Sequence, residues 1–323
     1  MNRELDWGSL RVAVLVPCYN EETTISQVIR DFAAVFPDAE IFVYDNNSTD
    51  NTVNNALAAG AIVRNERLQG KGHVVRRMFA DIDADVYVIV DGDNTYNAAA
   101  ALPMVRAIAR RDLDFVNGRR VSRPEAYRRG HRFGNWLLTA LTGTIFGARV
   151  TDMLSGLKVL SARFVKSFPC LAKGFEIETE ITVHALELKM PIDEMPVEYR
   201  ERGANSSSKL NTVQDGIRIV WLIFRLLQTE RPGFFFGIIF VLLALTSSFL
   251  GWQLFVEWRS TGLVFRIPTA VLTTGMMLLA FLSAVCGIIL ETVTLGRREN
   301  KRMVYLSIPR ETLSRTANGG PAR

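Results

Sequence analysis

A chain of 323 residues, 48% of them hydrophobic and 22% charged, has room for one medium-sized domain and an accessory region. Its formal net charge of +5 calls for no nucleic acid, because basic residues beside anionic lipid account for it. The three cysteines, Cys18, Cys170 and Cys286, have neither paired nor metal-like spacing, which excludes a disulfide scaffold and suits a reducing compartment.

In chain order, "VAVLV" at 12–16 is a buried strand that stops at Pro17, too short for a signal peptide, so the N-terminal domain is expected in the cytosol. A helix follows from Asn20 or Glu21 to about Phe36, with Ile25, Val28, Ile29 and Phe32 at helical spacing. "EIFVY" at 40–44 repeats the plan, with a polar loop and a helix from Ser48 or Thr49 to about Ala59. "AIVRNE", "GKGHVVRRMFADI" and "DVYVIVDGD" add a strand, a loop with its helix, and a fourth strand. This βαβαβαβ order predicts a mainly parallel sheet covered by helices. Ligands of such sheets bind beyond the carboxyl ends of the strands, and "PCYNEE", "DNNSTD", "RLQGKG" and "DGDNTY" all fall there.

Asp91 and Asp93 stand one residue apart, and in extended backbone residues i and i+2 face the same side. Two carboxylates completed by substrate phosphates are a common way to hold Mg²⁺ or Mn²⁺. "GKG" at 70–72 offers backbone amides and Lys71 to a diphosphate. Asp45 is placed to accept from a nucleobase or ribose, while Asp50 reads equally well as a helix cap. "TDMLSGLKV" at 151–159 makes Asp152 a candidate on the acceptor side. Of Glu176, Glu178 and Glu180, one is expected to be functional. "EYRERGANSSSKLN" gathers Arg200, Arg202, Ser208 and Lys209 into a loop suited to an anionic headgroup.

The mostly apolar helix of 132–147 and the basic helix of 212–232, with Arg218 and Arg225 on one face, read as interfacial or core elements, the second favouring the interface. Residues 233–256 and 267–290 carry no charge and exceed the about 20 helical residues that cross a hydrocarbon core. Arg297, Arg298, Lys301 and Arg302 follow the second run, whereas only Arg259 and Arg266 lie between the two. The positive-inside rule therefore predicts two spans with both termini cytosolic.

Taken in order, "VLVPCYNEE", "DNNSTDNT", "RLQGKG", "VDGDNTY", "TDMLSGLKVL", "GFEIETEI" and "YRERGANSSSKLN" resemble the family 2 glycosyltransferases of GT-A fold, and within them the polyprenyl-phosphate sugar synthases. The resemblance implies an α/β, Rossmann-like GT-A catalytic domain over 1–211, an interfacial helix over 212–232, two transmembrane helices over 233–293 and a basic tail over 294–323. It implies an inverting transfer from a nucleotide-sugar, with a UDP-sugar favoured, to a polyprenyl phosphate at a bacterial inner membrane. Pro17, Tyr19, Glu21, Asp45, Lys71 and Asp91 would then bind the nucleotide-sugar, and Asp91 and Asp93 the Mg²⁺ or Mn²⁺. Asp93 and Asp152 would be catalytic, and Arg119 or Arg120, Arg202, Ser208 and Lys209 would bind the acceptor phosphate. The sequence departs from the family where Gly92 and "NTY" replace the frequent Asp-Ala-Asp and Leu-Gln pattern, and where Lys158 stands for an arginine. Another membrane acceptor, or a non-catalytic scaffold that binds a sugar nucleotide, are the competing expectations. A homo-oligomer is compatible with the sequence.

Overall fold

The computed structural model describes residues 10–121, 143, 150–174, 176–200, 224–225 and 227–309. Seven strands, β1 (Val12–Cys18), β2 (Glu40–Asp45), β3 (Ile62–Asn65), β4 (Val86–Ile89), β5 (Phe115–Val121), β6 (Lys158–Ser161) and β7 (Ile192–Glu198), form one sheet in the order β3-β2-β1-β4-β6-β5-β7. The β1–β2, β2–β3, β1–β4 and β5–β7 pairs are parallel. Strand β6 runs antiparallel between β4 and β5. The mainly parallel sheet expected from the alternating pattern is therefore present, with one strand reversed in its second half.

Helices α1 (Ile25–Val35), α2 (Thr52–Ala58), α3 (Lys71–Asp81), α4 (Ala101–Arg111), α5 (Ala162–Ser167) and α6 (Ile177–Glu187) cover the sheet. Alternation along β1 explains why both faces are covered. Val14 and Val16 pack on one face with Ile25, Ile29 and Phe32 of α1 and Met104 and Ile108 of α4. Ala13 and Leu15 pack on the other with Val74, Val75 and Met78 of α3 and Ile177 and Ile181 of α6. A fully buried side chain of this size contributes about 1.5–3 kcal/mol, so the two clusters hold the strand ends rigidly in register.

Helices α1 and α2 begin later than the periodicity implies, at Ile25 and Thr52. Asn20 and Asn47 lie at φ 53° and 64°, a left-handed conformation incompatible with a helical first turn. Strand β4 ends at Ile89 rather than running on through Asp93, because Gly92 and Asp93 form a turn and Asn94 takes φ 57°.

Two compact units result: Met1–Gly216 with Lys301–Arg323, and Ile217–Asn300. In the second unit, α7 (Pro232–Thr261) and α8 (Ile267–Ser307), from Thr273 to Glu291, pack as a hairpin. The Ser247 hydroxyl donates to the Thr273 carbonyl and the Ser283 hydroxyl to the Phe236 carbonyl. Glu291 accepts from the Gly233 amide. Both helices are long and apolar enough to cross a membrane, and they expose large apolar side chains such as Phe249, Trp252 and Ile288. Two of the tail cations, Arg297 and Arg298, are engaged with the buried carboxylate of Glu230 in the same unit. From Lys301 the chain belongs to the first unit, where Lys301 pairs with Glu187 at 2.7 Å and the Tyr305 hydroxyl donates to Asp114 at 2.5 Å. The helix predicted over 132–147 and most of the one over 212–232 fall outside the described residues.

Candidate active site

The carboxyl ends of β1, β2 and β4 carry four acids toward one place. Glu21, Asp45, Asp91 and Asp93 all bear on the thiol of Cys18, whose proton affinity is pushed well up, first by burial and then by these charges. Thus the structure gathers the predicted donor-side carboxylates around a single buried atom. A Cβ on Gly92 would meet Cys18 Sγ at 2.8 Å, so the turn between Asp91 and Asp93 lies against the floor of the site. The Thr24 hydroxyl fastens that turn by donating to the Gly92 carbonyl at 2.7 Å. Tyr19 is exposed and Pro17 half-buried at the end of β1.

The loops are latched to one another by short polar side chains. Asn20 receives the Thr49 amide, its own amide donates to the Ser48 hydroxyl, and the Glu21 amide donates to Thr52 Oγ1. Asn46, buried and not anticipated from the sequence, donates to the carbonyls of Glu66 and Leu68 and accepts the Gly70 amide. Asp50, one residue before the N-cap Asn51 of α2, accepts from the Thr52 amide and hydroxyl and from the Glu22 amide, and so ties down the start of that helix. Asp45 takes the Ser48 amide on Oδ2, while its buried Oδ1 has no hydrogen-bond partner among the described residues. An orphaned buried carboxylate oxygen is costly, and a donor on a bound ligand would relieve it.

Lys71 opens α3 and is 11% exposed. Its Nζ donates to Asp91 Oδ1 and to Glu178 Oε1, each at 2.5 Å. Burial lowers its proton affinity, but the two carboxylates outweigh it and hold the ammonium charged. Gly70 and Gly72 are required by packing: a Cβ on either would stand 2.2 Å from the carbonyl oxygen of Lys173 or Ala172. Among the three glutamates, Glu178 faces the site, Glu180 instead accepts the amides of Leu171 and Ala172, and Glu176 precedes α6.

Asp93 is 5% exposed and its Oδ1 accepts from the Thr95 amide and hydroxyl. The "NTY" departure thus organises the turn: Asn94 reverses the chain, Thr95 holds Asp93, and the Tyr96 hydroxyl accepts the Gly156 amide at 2.7 Å. A Cβ on Gly156 would lie 2.0 Å from Asp91 Oδ2. Only glycine lets the 155–157 segment approach that carboxylate, so the chain just after Asp152 lies against the Asp91 turn.

Of the residues expected on the acceptor side, Arg120 forks onto Asp152, Nε to Oδ2 and Nη2 to Oδ1, both at 2.7 Å. Burial pushes the Asp152 carboxyl up, yet the Arg120 hydrogen bonds and charge hold it below the usual range. The structure therefore brings two predicted residues into a bidentate pair. Arg119, its neighbour on β5, is exposed, and successive strand residues face opposite sides. Arg202, Ser208 and Lys209 lie outside the described residues. Glu194 accepts the Thr151 and Asp152 amides and Asn117 Nδ2, and it too was unforeseen.

Sequence and structure comparisons agree with this geometry. The pattern of "Glycosyl transferase family 2" matches residues 13–160. Glycosyltransferase AglJ of Haloferax volcanii is 32% identical over 91% of this chain and 98% of its own. The dodecaprenyl-phosphate galacturonate synthase of Rhizobium johnstonii is 26% identical over 71% of each. Glucosyl-3-phosphoglycerate synthase of Mycobacterium tuberculosis, solved with Mn²⁺, UDP and phosphoglyceric acid, shares the fold with a TM-score of 0.56. It is 24% identical, with 68% of this chain and 78% of that one covered. The chain belongs to glycosyltransferase family 2.

Proposed function

We propose that the chain is a membrane-anchored, inverting glycosyltransferase that moves a sugar from a UDP-sugar to a polyprenyl phosphate. One observation carries it: the donor carboxylate Asp91 touches Gly156, whose segment leads back to the Arg120–Asp152 pair, in a chain with two helices long enough to span a bilayer. The relative from Rhizobium johnstonii, named for a dodecaprenyl phosphate, and the fold neighbour solved with UDP and Mn²⁺ support the same reading.

The site suits a divalent ion. Asp91 and Asp93 form a two-carboxylate donor set to which substrate phosphates would add, and the glycine at 156 leaves Asp91 Oδ2 a cradle that a Cβ would fill. Asp91 and Asp93 would hold Mg²⁺ or Mn²⁺, which when bound neutralises charge on the departing diphosphate. Lys71 adds a cation at the same carboxylate, and Glu178 keeps it aimed there. Asp45 offers its unpartnered oxygen to the nucleoside.

The acceptor phosphate is already an anionic nucleophile, so the residues around it position rather than deprotonate. Its oxygen forms a bond to the anomeric carbon as the bond to the nucleoside diphosphate breaks, and the bonding pair leaves with UDP. Asp152, held below the usual carboxylate range, is a poor base; it holds Arg120 by Nε and Nη2, and the remaining guanidinium N–H groups serve that phosphate.

The test supplies the purified full chain with undecaprenyl phosphate, labelled UDP-sugars and GDP-mannose, and Mg²⁺ or Mn²⁺. Lipid-linked sugar is expected from a UDP-sugar and lost in Asp91→Ala. No lipid-linked product from any donor, or undiminished transfer by the variant, overturns the proposal.

A further inference from the structure

A buried cation sits beside the Asp152–Arg120 pair, held by Asn117, whose amide also donates to the Asp152 carbonyl. Lys158, on β6, is 1% exposed. Its Nζ donates to Asn117 Oδ1 at 2.9 Å and to Thr182 Oγ1 at 3.5 Å, and stands 5.4 Å from the centre of the Phe115 ring. All three partners are neutral. An ammonium buried without a carboxylate partner among the described residues is expensive, and an apolar side chain of similar length would fill the same volume more cheaply. Packing alone does not explain a lysine here.

Its effect runs through an amide. With Oδ1 committed to Lys158, Asn117 Nδ2 donates to the Asp152 carbonyl at 2.8 Å and to Glu194 Oε1 at 2.9 Å. A flipped carboxamide would set its NH₂ against the ammonium and its oxygen against a carbonyl and a carboxylate. Lys158 thereby fixes which way Asn117 points. Asn117 and Glu194 together hold Thr151 and Asp152, on which Arg120 is forked. Toward the donor side, the Thr182 hydroxyl donates to the Glu178 carbonyl at 3.0 Å.

We propose that Lys158 is a positioning residue for the acceptor: its ammonium locks the Asn117 carboxamide and so seats the Asp152–Arg120 pair against the acceptor phosphate. The inference rests on the lipid-phosphate acceptor proposed above. The charged groups that bear on Lys158 are Glu178 on α6, Asp152 on the preceding turn, Lys71 on α3 and Arg120 on β5, while β4, paired with it at Ile89, is uncharged. Burial dominates and lowers its pKa to about 8, with Glu178 and Asp152 opposing and Lys71 and Arg120 assisting. The lock is therefore complete below that pH and released above it.

The experiment uses the full chain in detergent and compares wild type, Lys158→Met and Lys158→Arg. It measures calorimetric binding of farnesyl phosphate and of UDP, initial rates with undecaprenyl phosphate from pH 6.5 to 9.5, and thermal midpoints. Lys158→Met is expected to weaken farnesyl phosphate binding and raise the acceptor KM roughly tenfold, with UDP affinity within about twofold. Its midpoint should stay within roughly 4 °C of wild type, since a costly buried charge leaves with the lost hydrogen bonds. Wild-type kcat/KM for the acceptor should fall as pH rises through about 8, Lys158→Met should lack that limb, and Lys158→Arg should move it upward. Unchanged acceptor affinity, equal losses for both ligands, or a loss that tracks a lowered midpoint and returns on cooling would each overturn the inference. Wild type that binds no farnesyl phosphate and makes no lipid-linked sugar overturns the proposed function as well, whereas an active wild type matched by Lys158→Met overturns the inference alone.

Discussion

The two halves of the site are built by different rules. On the donor side each chemical residue follows its own strand, and the latches join neighbouring βα units: Asn20 to Ser48, Asn46 to Gly70, Lys71 to Asp91. Those partners are 20–28 residues apart. On the acceptor side the partners come from more distant segments, with Asn117 on Glu194 77 residues away and on Lys158 41 residues away. Strand β5 lies between the antiparallel β6 and the parallel β7, which sets Glu194 level with Asn117, so segments that no repeating unit connects become neighbours. A parallel sheet writes its site along the rim, whereas the mixed half assembles one from strands distant in the chain.

If that contrast holds, the largest loss should come from the donor half's one indispensable carboxylate. Asp91→Ala is expected to lower kcat/KM by about 10³ or more, as removal of a group that stabilises the leaving charge does. Its thermal midpoint should barely move, since Lys71 keeps Glu178. Radiolabelled transfer and calorimetry read the two effects separately, and a loss under tenfold would move the weight of catalysis to the acceptor side. Next comes the point where the halves touch. Gly156→Ala drives a methyl into Asp91, and a displacement of about 1 Å there should cost roughly 10²-fold in rate. An alanine variant with wild-type rates would show that the halves work without contact.

The contrast also explains what could be read from the chain. The parallel half was legible, since apolar runs alternated with helical periods and every run ended in polar residues. The rim asparagines Asn20, Asn47 and Asn94 even carry the turn signal, because each adopts the left-handed conformation that asparagine tolerates. The exact strand end was not legible: "VDGD" looks extended, but Gly92 turns, and Asp93 is satisfied within its own loop. Which glutamate of "EIETE" matters was hidden, because α6 is buried on almost every side and has no polar stripe to exclude positions. Lys158 did leave a trace. A lysine among Leu157, Val159 and Leu160 in a short strand is a buried charge in need of a reason. Asn117 and Glu194 left none, since their pairing depends on β7 docking beside β5 at the far edge of the sheet.

A smaller effect tests the donor latches. Asn46→Ala strands the Glu66 and Leu68 carbonyls and the Gly70 amide, and should cost about 2–3 kcal/mol of stability. The KM for the UDP-sugar should rise while that for the lipid stays level. Equal changes in both would mean that the rim is one cooperative unit rather than a set of neighbouring latches.

The smallest effect belongs to Asp50, whose carboxylate ties down the start of α2 at an exposed edge of the donor half. Burial nudges its carboxyl up, but the hydrogen bonds from Thr52 and Glu22 prevail and hold it below the ordinary range. A carboxyl depressed by folding adds stability that is present above its unfolded pKa and disappears as pH falls through the folded one. Asp50→Ala should therefore cost about 1 kcal/mol near neutrality and nothing once the wild-type carboxyl is protonated. Urea midpoints of the two proteins, taken from pH 7 downward, should converge in acid while transfer rates at pH 7 differ by less than about twofold. A gap that persists in acid would make Asp50 a packing residue, and a large rate loss would place it in the nucleotide site instead.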